Sequence, residues 1–499
     1  MRIVKKHQLS HPTIVSLGLL IIACSTVILP AVSAQTTVNY IRPYTENPFY
    51  WEYKGKPVVL LGGTWQDNLF NHPEGLEDHL DKLVEVGGNY IRNTMSSRNV
   101  DNVWAFAKLE SGLYDLDKWN EEYWQRLENL LNLTYERDII VQVELWDPHD
   151  HFRDLKGGGW SFQPFNPVNN ITYTAVQSQL PTSVEYSPVP VPTPHAFFRT
   201  VPDLDDNKLV LDYQKKYIDK ILSITLTYPN VLYCINNETG AHLEWGDYWI
   251  NHLHKRAQEL NVVIHTTDMR RNNDITADDH LFIYQHPERY TFVDISQNNS
   301  NNIPTGQLHW DRMQEARKLL AELGVRPMNN VKIYSREDGT HINGPQRFWR
   351  LIFGGCASAR FHRPYPLEDG PEHHYALSYH GLGLHPDAQM NIRSARMFID
   401  SIEIFSCIPS NHLLSMRETN EAYCLAEEGK QYALYFPNGG EVYIDLSQLK
   451  NMGTIQWLDI NESIWSQNEE IRGKDHVKIT SPGQGQWVAL IMAEKTGIR

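Results

Sequence analysis

The chain has 499 residues, with 60 acidic against 45 basic side chains and a formal net charge of −15. That length is enough for a large core and two domains, and the acidic balance argues against nucleic acid or an anionic membrane surface as the main partner. A neutral substrate stays open, and the 14 Trp and 25 Tyr supply ring faces of the kind that stack on sugars.

The first residues read as an export signal. Arg2, Lys5 and Lys6 make a basic start, Thr13 to Leu29 is almost wholly apolar or small, and Val32-Ser33-Ala34 is a small-residue cleavage site. The apolar run is too short and too early for a membrane span. Cys24 offers a lipoprotein anchor as the alternative. Either way, residues 1–34 are expected to be removed or anchored, and the mature protein to be secreted, periplasmic or at the cell surface. Cys234, Cys356, Cys407 and Cys424 would remain, which is no disulfide framework, and a Cys407–Cys424 pairing stays open. No Cys and His spacing suggests zinc, so neither a metal nor a cofactor is expected.

Residues 35–57 form a lead-in, with a turn at Tyr53-Lys54-Gly55-Lys56-Pro57. Val58 to Trp65 reads as a buried strand ending in Gln66, Asp67 and Asn68. A helix follows with Leu76, Leu80, Leu83 and Val84 on one face, stopped by Gly87-Gly88. Asn89 to Thr94 is a second strand. Tyr123, Leu127, Leu130 and Leu131 mark a helix, and Ile139 to Trp146 a third strand, followed by Asp147-Pro148-His149-Asp150. From about 151 to 202 the rhythm breaks into a Pro- and aromatic-rich insert. Trp160, Phe162, Phe165, Tyr186 and Phe197 make it too apolar for simple disorder, so a substrate-shaping loop is expected.

A helix over Leu211–Leu226 leads to the strand Val231 to Asn236, which ends in Asn237-Glu238. Further strands are expected at Val262–Asp268, Phe292–Gln297, Val331–Asp338 and Ala357–His362, with Leu281–Tyr284 a possible extra one. Helices are expected around Met313–Leu323, from Arg347 to Phe353 and over Ala395–Phe405. Strands alternating with helices indicate a parallel sheet, and eight of them predict a (β/α)8 TIM barrel over 35–406. After about Cys407 the period changes. Tyr432–Phe436, Pro437-Asn438-Gly439-Gly440 and Val442–Leu446 read as a hairpin, and Trp487–Ile491 as a closing strand. Residues 407–499 are therefore expected to form a small antiparallel β-sandwich domain.

Hydrolysis of a glycosidic bond usually needs two carboxylates facing it, one to protonate the leaving oxygen and one to attack or to activate water. In a barrel the strand carboxyl ends carry the chemistry. Glu238 closes the fourth strand and is the expected general acid/base, and Glu337 closes the seventh and is the expected nucleophile, with Asp338 a close competitor. Arg336 would help keep Glu337 ionised. Glu144 and Asp147 are rivals for a catalytic role. Trp65, Asp67, Arg92, Trp146, His149, Asn237, His265, Gln297 and His362 are the expected substrate-binding groups, although the two Trp residues suit a core equally well. An oligo- or polysaccharide is the expected partner.

Ile235-Asn236-Asn237-Glu238 and Tyr334-Ser335-Arg336-Glu337 resemble the strand ends of clan A glycoside hydrolases, which implies retention through a glycosyl-enzyme intermediate. Leu61-Gly62-Gly63-Thr64-Trp65, Gly88-Asn89-Tyr90-Ile91-Arg92 and the appended β domain resemble the apiosidase-like barrel family, whose C-terminal module is labelled collagen-binding by similarity. Members of that family tend to carry Asp on the fourth strand. This chain has Asn237-Glu238, so apiose specificity is not implied. The alternatives are a non-catalytic carbohydrate-binding or attachment protein, and a polysaccharide lyase using His265, His286 or His362 with Arg270-Arg271.

Overall fold

The lead-in becomes an antiparallel sheet of three short strands, β1 (Arg42–Pro43), β2 (Trp51–Tyr53) and β3 (Lys56–Val58). At the predicted turn Lys54 and Gly55 take φ of 50° and 74°, the left-handed pair of a two-residue hairpin. The computed structural model describes residues 40–99, 101–152, 159–184, 195–299, 305–334, 342–362, 381–450 and 452–494. The predicted export signal with Cys24, the insert residue Tyr186, and the stretch Ser335-Arg336-Glu337-Asp338 lie outside the described residues. From Asn39 onward the chain is one compact unit.

Among the described residues, eight parallel strands alternate with helices. In chain order they are β4 (Leu60–Gly63), α1 (Leu76–Glu85), β5 (Tyr90–Thr94), a hairpin of β6 (Phe106–Lys108) and β7 (Tyr114–Trp119), α2 (Glu121–Glu136) and β8 (Ile140–Trp146). After α3 (His149–Phe152) and α4 (Ala175–Ser178) come α5 (Lys208–Thr225), β9 (Val231–Asn236), α6 (Leu243–Glu259), β10 (Thr266–Thr267) and α7 (Asp278–Gln285). The barrel ends with β11 (Val293–Asp294), α8 (Gly306–Leu323), β12 (Met328–Asn329), α9 (Asn343–Phe353), β13 (Ser358–Phe361) and α10 (Pro386–Ile399).

The ladders run β13-β4, β5-β8-β9-β10 and β11-β12, all parallel. Bonds outside these ladders close the ring between them. Asn89 N donates to Leu61 O (2.8 Å), Thr266 N to Thr291 Oγ1 (3.0 Å), and Ala357 N to Met328 O (2.9 Å). Trp51 seals the amino end, packing with Leu60, Tyr90, Ile140, Leu232 and Phe292 and donating to Asn329 Oδ1 at 2.8 Å. Among the described residues no helix is long and apolar enough to cross a membrane.

Several predicted boundaries move. Leu281–Tyr284 is helical, inside α7, because its apolar run is four residues within an acidic-capped turn rather than a strand. The fifth strand is only Thr266–Thr267, and the sixth gives way after Asp294 to the single turn Ser296–Asn299. The seventh begins earlier, at Met328, and is irregular. The last barrel helix ends at Ile399, not Phe405. The described parts of the insert are packed structure. Trp160 Nε1 donates to Pro181 O (2.8 Å), Asn170 bridges Tyr114, and Phe197 meets the ring of Trp146.

Beyond the barrel lie β14 (Ile408–Pro409), β15 (Leu414–Ser415), β16 (Tyr423–Glu427), β17 (Gln431–Phe436), β18 (Glu441–Ile444), β19 (Met452–Asp459), β20 (Ile464–Trp465), β21 (Glu469–Arg472), β22 (Val477–Thr480) and β23 (Trp487–Ala493). They form two antiparallel sheets, β14-β16-β17-β23-β19-β20 with β21 on β19, and β15-β18-β22. The predicted hairpin does not form, since β17 and β18 belong to different sheets. The reason lies in β17, which is apolar on both faces. Ala433 and Tyr435 pack on the barrel, while Tyr432, Leu434 and Phe436 enter a second core. Such a strand is central and takes β16 and β23 as neighbours, whereas β18, buried at alternate residues, covers the far side. Cys407 and Cys424 are buried free thiols.

Candidate functional site

β9 is buried along its whole length and ends at Asn236. Asn237 N still bonds to Trp146 O (2.9 Å) and Thr239 N to Met269 O (2.9 Å), but Glu238 between them has φ of 52°. A non-glycine residue in the left-handed region is uncommon, and such positions gather at functional sites. Here the twist throws the Glu238 side chain off the sheet and into the barrel mouth, where one-fifth of it is exposed.

Two groups meet Glu238. Lys332 Nζ donates to Oε1 at 2.5 Å, and His149 Nε2 lies 3.3 Å from Oε2. Lys332 also donates to Asn237 Oδ1. Lys332 reaches the mouth because the seventh strand is irregular. Asn330 N bonds to Ser358 Oγ and Val331 N to Ser296 Oγ instead of to ladder carbonyls. The strict alternation of a strand lapses there, so Val331 packs in the barrel interior while its neighbour Lys332 also points inward. Burial opposes ionisation of Glu238, yet the adjoining Lys332 ammonium, with His149, holds its carboxyl well below the ordinary range.

Beneath lies a buried ionic lattice. Arg92 makes a two-pronged contact with Glu144, Nε to Oε1 at 2.9 Å and Nη2 to Oε2 at 2.5 Å, and also pairs with Asp67. Arg98 joins Asp67 to Asp147. His362 Nε2 is 3.2 Å from Asp67 Oδ1, and its ring stands edge-on to Tyr334. Asp150 accepts from Ser96 Oγ (2.8 Å), and burial, then Asp147, pushes its carboxyl up to about 7. Asp294, bonded to Ser296 N and Gln142 Nε2, is raised by burial to about 6.

The structure thus brings together Glu238, Asn237 and His149, with Asp67 and His362 joined to each other beyond the ends of β4 and β13. Arg92 is fully buried and serves as the hub of the lattice. Glu144 and Asp147 are claimed by Arg92 and Arg98. Trp146 packs among Phe197, Tyr217, Trp245 and Trp249 as core, and Trp65 is buried against Leu382 and Gly383. Gln297 is buried in the turn after β11. His265 is at the wrong end. The fifth strand starts one residue after it, so its ring meets Trp51 at the barrel floor and its Nδ1 lies 3.2 Å from Thr291 Oγ1. His286 pairs with Glu288 at the surface. Lys332 and Arg98 were missed by the sequence reading. A lone charge inside the apolar run Val331–Tyr334 was the available signal for Lys332, and Arg98 in a polar loop gave none.

Neither a family model nor a curated protein matches the sequence. Among solved structures, the chain is similar to a glycoside hydrolase family 5 protein from Bacteroides vulgatus ATCC 8482, with TM-score 0.60 and 12% identity over 92% of this chain and 95% of that one. It is similar also to a protein described as a glycoside hydrolase, with TM-score 0.60 and 11% identity over 91% and 97% of the two chains. At these identities the likeness is one of fold alone: the chain shares its overall architecture with these two proteins over most of its length.

Proposed function

We propose that the protein is a glycoside hydrolase acting on an oligo- or polysaccharide by double displacement, with Glu238 as acid/base and Glu337 as nucleophile. The observation that carries this reading is Glu238 itself, a carboxylate turned into the mouth of a hydrolase-type barrel from the end of the fourth strand, with Asn237 beside it and His149 and Lys332 against it. Glu337, three residues beyond Tyr334 in the sequence, is the proposed second carboxylate. Asp67, His149, Asn237 and His362 are the groups proposed to bind sugar hydroxyls. The insert shapes the cleft, and the two C-terminal sheets form a sandwich module over about 407–499, the layout of apiosidase-like barrels. Residues 1–34 direct export.

The test is a polysaccharide panel read by reducing-sugar release and by NMR of the first-formed anomer. Glu238→Gln and Glu337→Gln should each lower kcat by about 10²–10⁴ while the fold is kept, with retained configuration in the wild-type product. Full activity in Glu238→Gln, or an inverted product, would sink the assignment. A second reading, a carbohydrate-binding barrel, draws on the Lys332–Glu238 pair, which leaves the carboxylate neutralised at rest. It predicts oligosaccharide binding by wild type and Glu238→Gln alike, without turnover.

A further inference from the structure

We propose that Lys332 is a positioning residue. It clamps Asn237 and Glu238 together, and an arriving substrate must displace its ammonium before Glu238 can donate a proton. The inference rests on the hydrolase reading for its catalytic meaning, but the clamp itself is a matter of geometry.

The Lys332 side chain is 2% exposed and comes from the seventh strand, across the barrel from Glu238. Its Nζ touches both Asn237 Oδ1 and Glu238 Oε1. An ammonium has three donors and no acceptor. It therefore fixes which end of the Asn237 amide faces it: the oxygen is taken, and the NH2 is left to face the other way, as a donor for a sugar hydroxyl. The same ammonium leaves Glu238 with one oxygen occupied and its charge balanced. Lys332 and His149 are the charged or titratable groups that touch Glu238 among the described residues. His149 lies on the other oxygen, so the two partners bracket the carboxylate.

A carboxylate in that bracket is a poor proton donor. Without the ammonium, burial, which favours the neutral acid, is opposed only by His149, and the carboxyl shifts towards its protonated form. Moving Lys332 away from Glu238 is thus what arms the acid. In the armed state Glu238 has taken up a proton from solvent; as the proposed nucleophile Glu337 bonds to the anomeric carbon, the glycosidic C–O bond breaks and the leaving oxygen takes that proton from Glu238. A substrate hydroxyl seated between Nζ and Oε1 would do this while keeping Asn237 oriented. The clamp also protects the site, since an ionised, paired Glu238 does not attack or protonate adventitious groups when no sugar is bound.

The first measurement needs no substrate. Glutamate labelled with ¹³C at the side-chain carboxyl reports Glu238 in the full-length protein, the signal being assigned by its loss in Glu238→Gln. In wild type it should stay ionised well below the ordinary carboxylate range, and in Lys332→Met its midpoint should rise by about 1–3 pH units. Lys332→Arg, which retains the charge, should restore most of the wild-type behaviour. A wild-type Glu238 titrating at or above the ordinary carboxylate range overturns the proposal even if Lys332→Met does not fold, and so does an unmoved midpoint in a folded Lys332→Met.

The second measurement uses the polysaccharide that the panel shows to be cleaved. The basic limb of kcat, which reports the loaded enzyme, should lie at higher pH than that of kcat/KM, which reports the free one, and Lys332→Met should bring the two together. Coincident limbs in wild type overturn the displacement step. Full turnover by Glu238→Gln would instead remove the hydrolase assignment and leave the titration result standing, so the two failures are distinguishable.

Discussion

Arg92 shows how one side chain governs the site's foundation. It is fully buried between Glu144 and Asp67, and removing it would leave Glu144 without its cation in the barrel interior, while Asp67 would keep Arg98. Breaking a buried pair from one side costs about 3–5 kcal/mol, so Arg92→Met should show a large loss of stability in urea titration, with sugar affinity falling only as the fold does. Asp150 behaves oppositely. It keeps its proton up to about 7 because it is buried, with Asp147 adding to the effect. A folded-state value above the unfolded one adds stability below the unfolded value, and that stability is lost as pH rises toward about 7. Relative to Asp150→Asn, the wild type should therefore lose on the order of 2 kcal/mol between pH 5 and pH 8. A pH-independent difference between the two denaturation midpoints would contradict this.

At the scale of elements, the close approach of strands β4 and β5 depends on an absent side chain. A Cβ at Gly62 would stand 1.9 Å from the carbonyl oxygen of Tyr90. Gly62→Ala must push the first two strands apart beneath Asp67 and Arg92, at a cost of about 1–3 kcal/mol or more. The expected result is a lower melting temperature with weakened activity, and an unchanged melting profile would show that the strands adjust freely. The elements also explain which sequence expectations held. Helices such as α2 and α5 were legible because their apolar faces recur with helical spacing. The extents of the short strands β10, β11 and β12 were not, because each keeps only two ladder residues and neighbouring bonds go to side chains such as Ser296, Thr291 and Ser358. Periodicity does not record bonds of that kind.

For the whole molecule, the joint between barrel and C-terminal sheets is aromatic and continuous with the main core. Trp349 and Phe353 of α9 pack on Tyr435 of β17, with ring centroids 5.9 and 5.7 Å apart, and Ser394 Oγ of α10 donates to Ile460 O at 2.8 Å. Interfaces of that character hold domains rigidly. Calorimetry should show barrel and sheets unfolding in one transition, and Tyr435→Ala should separate them into two; two transitions in the wild type would mean that the joint is weak.

The sequence by itself determined the alternation of strands and helices, hence the barrel, and it singled out Asn237-Glu238 at the fourth strand's end, because local periodicity and turn residues are encoded within a dozen positions. Only the tertiary structure decided the company Glu238 keeps. Lys332 comes to it from 94 residues away along the chain, and His265, three residues short of Asp268 in sequence, is carried to the opposite end of the barrel. Which side chains converge depends on where each strand begins and where its ladder lapses. Those points are set by hydrogen bonds between segments far apart in the chain.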